Sequence, residues 1–188
     1  FGKHNLQNLS GALQVCLNLG IKEFKFYKAI STFDGAAKRL QLLGRNKNLK
    51  IFQDFAHSPS KLKATIDAVK DQYPEKEVVA CMELHTYSSL NKSFLSEYKG
   101  TMEKADKAIV FYSNHAIELK RLEKLEKSLV TESFDKKGLM VVEDEKLLKK
   151  ELFFMEFKNS ILLLLSSGNF NGLNLKELAD ELLEKNRN

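Results

Sequence analysis

Ile51-Phe52-Gln53-Asp54-Phe55-Ala56-His57-Ser58-Pro59-Ser60 decides the fold, because an apolar strand ends in an acid and a histidine immediately before a helix that begins on proline. The β-branched and aromatic run from Leu49 to Phe55 predicts the strand. Ser58 stands where a helix N-cap belongs. Pro59 suits the first helical position, since the N–H it lacks would have no intrahelical partner there. Asp54 and His57 would then project from the carboxyl end of a strand, where open α/β sheets bind ligands. The plain alternative is that both side chains satisfy nearby turn amides.

Working outward, strand and helix alternate. Helices are expected at Ser60 to Gln72, most of Leu90 to Lys104, Ile117 to Leu125, Glu145 to Phe157 and Leu175 to Lys185. Strands are expected at Val78 to Leu84, Ala108 to Tyr112, Leu139 to Val142 and Ile161 to Ser166. Runs such as Val78-Val-Ala-Cys-Met and Ile161-Leu-Leu-Leu-Leu are continuously apolar, as strands are when helices cover both faces of their sheet. Before Ile51, helices are expected at Asn5 to Leu19, stopped by Gly20, and at Ile21 to Ile30. Phe33 to Gly35 reads as a junction. Ala37 to Gly44 and Leu49 to Phe55 then flank the polar turn Arg45-Asn-Lys-Asn48, which predicts a hairpin. The pattern is that of an α/β, doubly wound, Rossmann-like fold: a mostly parallel sheet with helices on both faces and one antiparallel hairpin.

Composition narrows the function class. The 188 residues can bury one sizeable core, and 43% hydrophobic content is ordinary for a globular domain. The net charge of +5 suits an anionic ligand, but it is spread through mixed-sign segments such as Glu118 to Lys127. No basic stripe with interleaved aromatics argues for nucleic acid as a partner. Cys16 and Cys81 are far apart and belong to no metal or redox motif, so both read as small buried residues in a reducing compartment. The apolar run Ile161 to Leu165 is too short to cross a bilayer, and a cytoplasmic protein without a membrane partner is expected.

Three ordered stretches then carry a resemblance: Gly2-Lys-His4-Asn5-Leu-Gln-Asn8, Phe33-Asp-Gly35-Ala-Ala-Lys38-Arg39, and Asp54-Phe-Ala-His57-Ser-Pro59. They resemble the G-x-H-N-x-x-N, F-x-G-x-x-R-R and D-[YF]-A-H-x-P motifs of the Mur ligases, ATP-dependent amino-acid and peptide ligases of bacterial cell-wall synthesis. The sequence opens at Phe1 inside a motif, so it reads as a piece of a longer enzyme. Residues 1–32 would be the last helices of the central ATPase domain and 33–188 the C-terminal domain.

The resemblance implies roles. His4, Asn5 and Asn8 would contact the adenine side of ATP, where an amide offers donor and acceptor together. Lys38 and Arg39 would lie at the closing hinge, with Arg39 the better partner for phosphate oxygens. Asp54 would accept from the ribose hydroxyls, and His57 would shape the site. His85-Thr86-Tyr87-Ser-Ser89 resembles the segment that holds the incoming amine substrate, but the alanine-adding branch carries arginines where Thr86 and Ser89 stand. Ser166-Ser167-Gly168-Asn169-Phe170-Asn171-Gly172 resembles the S-N-G-x-F-G-G loop of the murein-peptide branch, which attaches a recycled tripeptide to UDP-N-acetylmuramate, and contributes Ser167 and Asn169. The expected reaction joins the tripeptide L-alanyl-γ-D-glutamyl-meso-diaminopimelate to UDP-N-acetylmuramate through an acyl phosphate, with Mg²⁺ supporting phosphoryl transfer. L-alanine is the alternative amine, and a non-catalytic α/β nucleotide-binding module the alternative of another class. No G-x-x-x-x-G-K-[ST] loop occurs in the sequence, so neither the β/γ-phosphate cradle nor metal ligands are expected here, and the 188 residues alone should be inactive.

Overall fold

The structure is a computed structural model that describes residues 2–33 and 35–187. Its elements are α1 (Lys3–Asn18), α2 (Glu23–Ile30), β1 (Gln41–Arg45), β2 (Leu49–Asp54), α3 (Pro59–Gln72), β3 (Glu77–Leu84), a 3₁₀ helix (Lys92–Tyr98), β4 (Lys107–Tyr112), α4 (Asn114–Leu119), α5 (Lys127–Phe134), β5 (Met140–Val142), α6 (Glu145–Phe154), β6 (Ser160–Leu165) and α7 (Leu175–Lys185). Six strands form one sheet in the order β1-β2-β6-β3-β4-β5. All neighbours are parallel except β1 and β2, the expected hairpin.

Side-chain alternation sorts the core into two layers. Val78, Ala80 and Met82 of β3 pack with Phe52, Ile161 and Leu163 beneath α3, α4 and α5. Val79 and Cys81 join Ile51, Leu162 and Leu164 beneath α6 and α7. Both layers are closed over the central strands, which explains the unbroken apolar runs of β3 and β6. The chain moves outward from β3 to β5 and then returns through α6 to insert β6 between β2 and β3. The loops leaving β2, β3 and β6 therefore meet at one carboxyl edge and depart toward opposite faces, the arrangement that opens a crevice in doubly wound sheets.

Several local expectations are corrected. The strand expected from Ala37 starts at Gln41 because Lys38 and Leu40 hold left-handed backbone (φ 56° and 44°), which turns the chain and ends extension. Leu90 to Lys104 is not an α-helix. It forms a 3₁₀ helix whose Leu95 and Tyr98 are buried three residues apart, and Gly100 at φ 69° follows it. The helix expected over Ile117 to Leu125 stops at Leu119, since Arg121 turns left-handed and Leu122 N–H closes back on the Ile117 carbonyl. The mixed-sign segment ending at Lys127 is thus largely irregular. An unforeseen helix, α5, follows it, buried through Val130 and Phe134 one turn apart. Ser58 occupies the N-cap of α3 with Pro59 at the first turn, yet its hydroxyl caps no amide. Cys81 is buried as expected, whereas Cys16 is only half-buried.

Candidate functional site

Period-two alternation sends Asp54, at the end of β2, to the face covered by α3. Its carboxylate is 7% exposed. It accepts from the Leu40 N–H at 2.7 Å and the Ala56 N–H at 2.8 Å, with the Thr65 hydroxyl 3.4 Å away. Asp54 therefore ties the left-handed turn before β1 to the strand end, as the turn-amide alternative requires, and a carboxylate with about four acceptor sites keeps capacity beyond these. It also lines a cleft of about 980 Å³ between α1, α2 and α3, shared with Asn5, Asn8, Arg39 and Lys61. The His4 side chain lies outside the described residues, as does Asp34 in the junction.

Arg39 and Lys38 part company at this turn. The Arg39 guanidinium lies 5.2 Å over the Phe55 ring, and Phe55 meets the His57 ring edge-on at 5.2 Å. His57 Nδ1 is 2.9 Å from the Phe55 carbonyl oxygen, and the His57 carbonyl accepts from the Tyr98 hydroxyl at 2.6 Å. Burial raises the Tyr98 pKa, against a lowering contribution from its hydrogen bond with Ser89, so the phenol stays protonated to donate. Of this stack, Arg39 lines the Asp54 cleft. Lys38 instead lines a second cleft, of about 390 Å³, with Gln41, Gln53, Gly168, Asn169 and Lys176.

The loop after β6 borders this second cleft through Gly168 and Asn169 and is held by a residue that motif reading overlooks. Glu83 lies on β3 with the parity of Val79 and Cys81, so it faces α7, and it is only 2% exposed. Its Oε2 accepts from the Ser166 hydroxyl and from the Phe170 N–H at 2.9 Å, while Oε1 stands 3.6 Å from His85 Nδ1. Ser166 Oγ in turn accepts from the Gly168 N–H at 2.7 Å. Gly168 is required here: a Cβ would stand 2.7 Å from His85 Cγ and 2.8 Å from Glu83 Oε2. Phe170 and Asn171 hold left-handed backbone (φ 51° and 58°), which turns the loop back toward α7. Burial first, and then the Glu83 charge, pushes the Cys81 thiol far up, so it remains neutral beneath this cluster.

The structure brings His85, Gly168 and Asn169 to one edge and leaves Tyr87 apart, 64% exposed, with Lys120 Nζ 5.3 Å over its ring. Thr86 and Ser89 bond to each other, with the hydroxyls 3.0 Å apart and the Ser89 N–H donating to Thr86 Oγ1 at 3.1 Å, and Ser89 also meets the Tyr98 hydroxyl. Asn169 Oδ1 accepts from the Gly172 N–H at 3.0 Å, and Ser167 Oγ is buried without a hydrogen-bond partner among the described residues. A signal for Glu83 was present, an acid within the apolar run Val78 to Leu84 that must find partners once buried. Lys61 and Thr65, four apart on α3, share a helix face with the Asp54 cleft, a spacing that sequence could have offered. Lys176 carried no distinguishing signal. No three His, Cys, Asp or Glu side chains converge as a metal site among the described residues.

With this geometry in hand, comparison with known proteins is informative. The family model described as Mur ligase, glutamate ligase domain, matches residues 38–168. A UDP-N-acetylmuramate–L-alanine ligase of Caldicellulosiruptor bescii is 36% identical over 109 residues, which cover 58% of this chain and 24% of that ligase. Among solved structures, the UDP-N-acetylmuramate–alanine ligase MurC of Thermotoga maritima aligns with 98% of this chain and 38% of its own at a TM-score of 0.74 and 17% identity. A murein peptide ligase of Psychrobacter arcticus aligns with all of this chain and 38% of its own at a TM-score of 0.66 and 20% identity. The chain thus spans less than half the length of each of these proteins.

Proposed function

Because the chain belongs to the Mur ligase family through the C-terminal domain of those enzymes, we propose that it delivers the amine substrate and closes the nucleotide site of an ATP-dependent ligase acting on UDP-N-acetylmuramate. Residues 1–32 are assigned to the end of the central ATPase domain and 33–188 to the C-terminal domain. The cleft of Asn5, Asn8, Arg39 and Asp54 fits a nucleotide in size and chemistry: amides for a base, a guanidinium for phosphates, and spare acceptor capacity on Asp54 for ribose hydroxyls. Bound ATP and Mg²⁺ would supply the activated phosphoryl group. This chain's residues orient the nucleotide and present the amine, and closure of the domain gates turnover. A cytoplasmic enzyme of cell-wall synthesis or recycling follows from this reading.

For the amine we infer the tripeptide L-alanyl-γ-D-glutamyl-meso-diaminopimelate, and the observation that carries this is the Thr86–Ser89 pair. These two side chains bond to each other and bring no cation to the end of β3, so neither offers a guanidinium to a lone amino-acid carboxylate there. Lys38 and Lys176 lie further out, across Gly168 and Asn169, where an extended peptide with several carboxylates can reach them. A second reading, L-alanine, is favoured by the names of the curated relatives, L-alanine ligases. The test is kcat/KM for the two amines with the full-length enzyme at fixed ATP and UDP-N-acetylmuramate. Preference for the tripeptide supports the first reading, and preference for L-alanine replaces it with the second.

A further inference from the structure

We propose that Glu83 is a positioning residue for the amine substrate: it clamps the 166–172 loop over His85 and supplies the negative charge that receives an incoming ammonium group. The inference rests on the reading of this edge as the amine site. Four observations carry it. The carboxylate is buried among the apolar residues Val78 to Leu84 of its strand, so its retention there needs partners. Those partners come from one loop, the Ser166 hydroxyl and the Phe170 N–H, eighty residues away in sequence. The loop packs so closely on Glu83 and His85 that residue 168 has no room for a side chain. Finally, among the described residues no Lys or Arg pairs with Glu83, and the ionisable group beside it is His85, 3.6 Å away and 38% exposed.

The far end of the loop is anchored as well. Asn171 donates to Glu145 Oε2 at 2.9 Å and accepts from the Ser113 hydroxyl at 3.3 Å. Held at both ends, the loop keeps Gly168 against His85 and leaves exposed Asn169 at the mouth of the Lys38 cleft. A buried carboxylate answered by neutral donors and one imidazole gives this edge a negative potential, weakly screened because water is excluded from it. An amine reaches a ligase mostly as its ammonium, so the field favours its arrival. The lysines of the neighbouring cleft meet the opposite end of the same molecule.

Two variants of the full-length ligase separate the clamp from the charge. Glu83→Gln keeps a carbonyl oxygen for Ser166 and Phe170 but removes the charge. Hydrogen exchange in the peptide spanning 166–172 and the KM for ATP should stay as in the wild type, while the KM for the amine, measured with the tripeptide and with L-alanine, rises about tenfold and kcat changes less. Glu83→Leu removes both functions, and exchange in the loop should then accelerate. Should that variant fail to fold, the Gln variant alone carries the test. Amine KM values indifferent to Glu83→Gln, in an enzyme that ligates normally, would overturn this inference and leave the proposed function standing. An enzyme that ligates neither amine would overturn both.

Discussion

Asp54 and Glu83 are two buried carboxylates that flank the end of β6, Asp54 level with Leu165 on one side and Glu83 one residue beyond the Met82 that pairs with Leu165 on the other. They face opposite layers of the core. Asp54 turns toward α3 and ties a left-handed turn to its own strand, with its neighbours Arg39 and Lys61 around a wide cleft. Glu83 turns toward α7 and ties down a loop from a distant strand, packed against Gly168 and His85. The same functional group therefore does two jobs. At the rim it stitches a turn and keeps acceptors for a ligand, and in the interior it shapes the loop that a ligand would meet.

The contrast predicts an order of stability losses. Glu83→Leu strands the Ser166 hydroxyl and the Phe170 N–H where water cannot replace the lost acceptor, at about 1–3 kcal/mol for each buried donor, and should be the most damaging of the changes considered. Gly168→Ala forces a methyl against His85 and Glu83 and should cost about 1–3 kcal/mol, as overpacking does. Asp54→Ala frees the amides of Leu40 and Ala56 beside a cleft that water can enter, so water offsets part of the ~1.5–3 kcal/mol of a hydrogen bond to a charged group and the cost should fall below that of Glu83→Leu. Chemical denaturation of the three variants gives the order. An Asp54 variant as unstable as the Glu83→Leu variant would erase the distinction between rim and interior.

The two carboxylates also differ in how readable they were. Asp54 lies in a short run whose strand, acid and Pro-started helix are all local, so the sequence places it at a strand end without any tertiary knowledge. Glu83 depends on a loop more than eighty residues away, and its partners are a hydroxyl and a backbone amide that no spacing rule connects to it. The parallel sheet and its two closed faces were legible because continuous apolar strands leave few alternatives. The separation of Lys38 from Arg39 was not, because it arises from left-handed backbone at Lys38 and Leu40, residues whose types do not advertise that conformation. Helix α5 was hidden for a related reason: its buried residues are Val130 and Phe134, amid polar and charged neighbours.

A smaller effect concerns acid. At the opposite, amino-terminal edge of the sheet Asp106 joins Lys70 and the Val78 N–H, each at 2.7 Å. Burial raises its carboxyl pKa, but these partners outweigh it and hold the group below the ordinary value. Glu143 behaves alike, burial being outweighed by Lys127 and the Tyr112 hydroxyl. A carboxylate depressed in the folded state contributes stability above its unfolded pKa and loses it as pH falls through the folded one. Both pairs are partly solvated, so each should contribute about 0.2–1 kcal/mol near neutrality. Asp106→Asn should accordingly flatten the acid limb of the stability profile between roughly pH 5 and the folded pKa, whereas a steeper limb would show that the partners do not favour the charged form.

If the edge built by β2, β3 and β6 serves a ligase, it holds nucleotide on the Asp54 side and amine on the Glu83 side. Steady-state kinetics of Asp54→Ala and Glu83→Gln in the full-length enzyme, with ATP and amine varied in turn, test it most directly. Crossed effects are expected: Asp54→Ala raises the KM for ATP, by a factor of about ten or more if a hydrogen bond to a charged group is lost, and spares the amine, while Glu83→Gln does the reverse. Equal shifts for both substrates in both variants, or none in either, would contradict it.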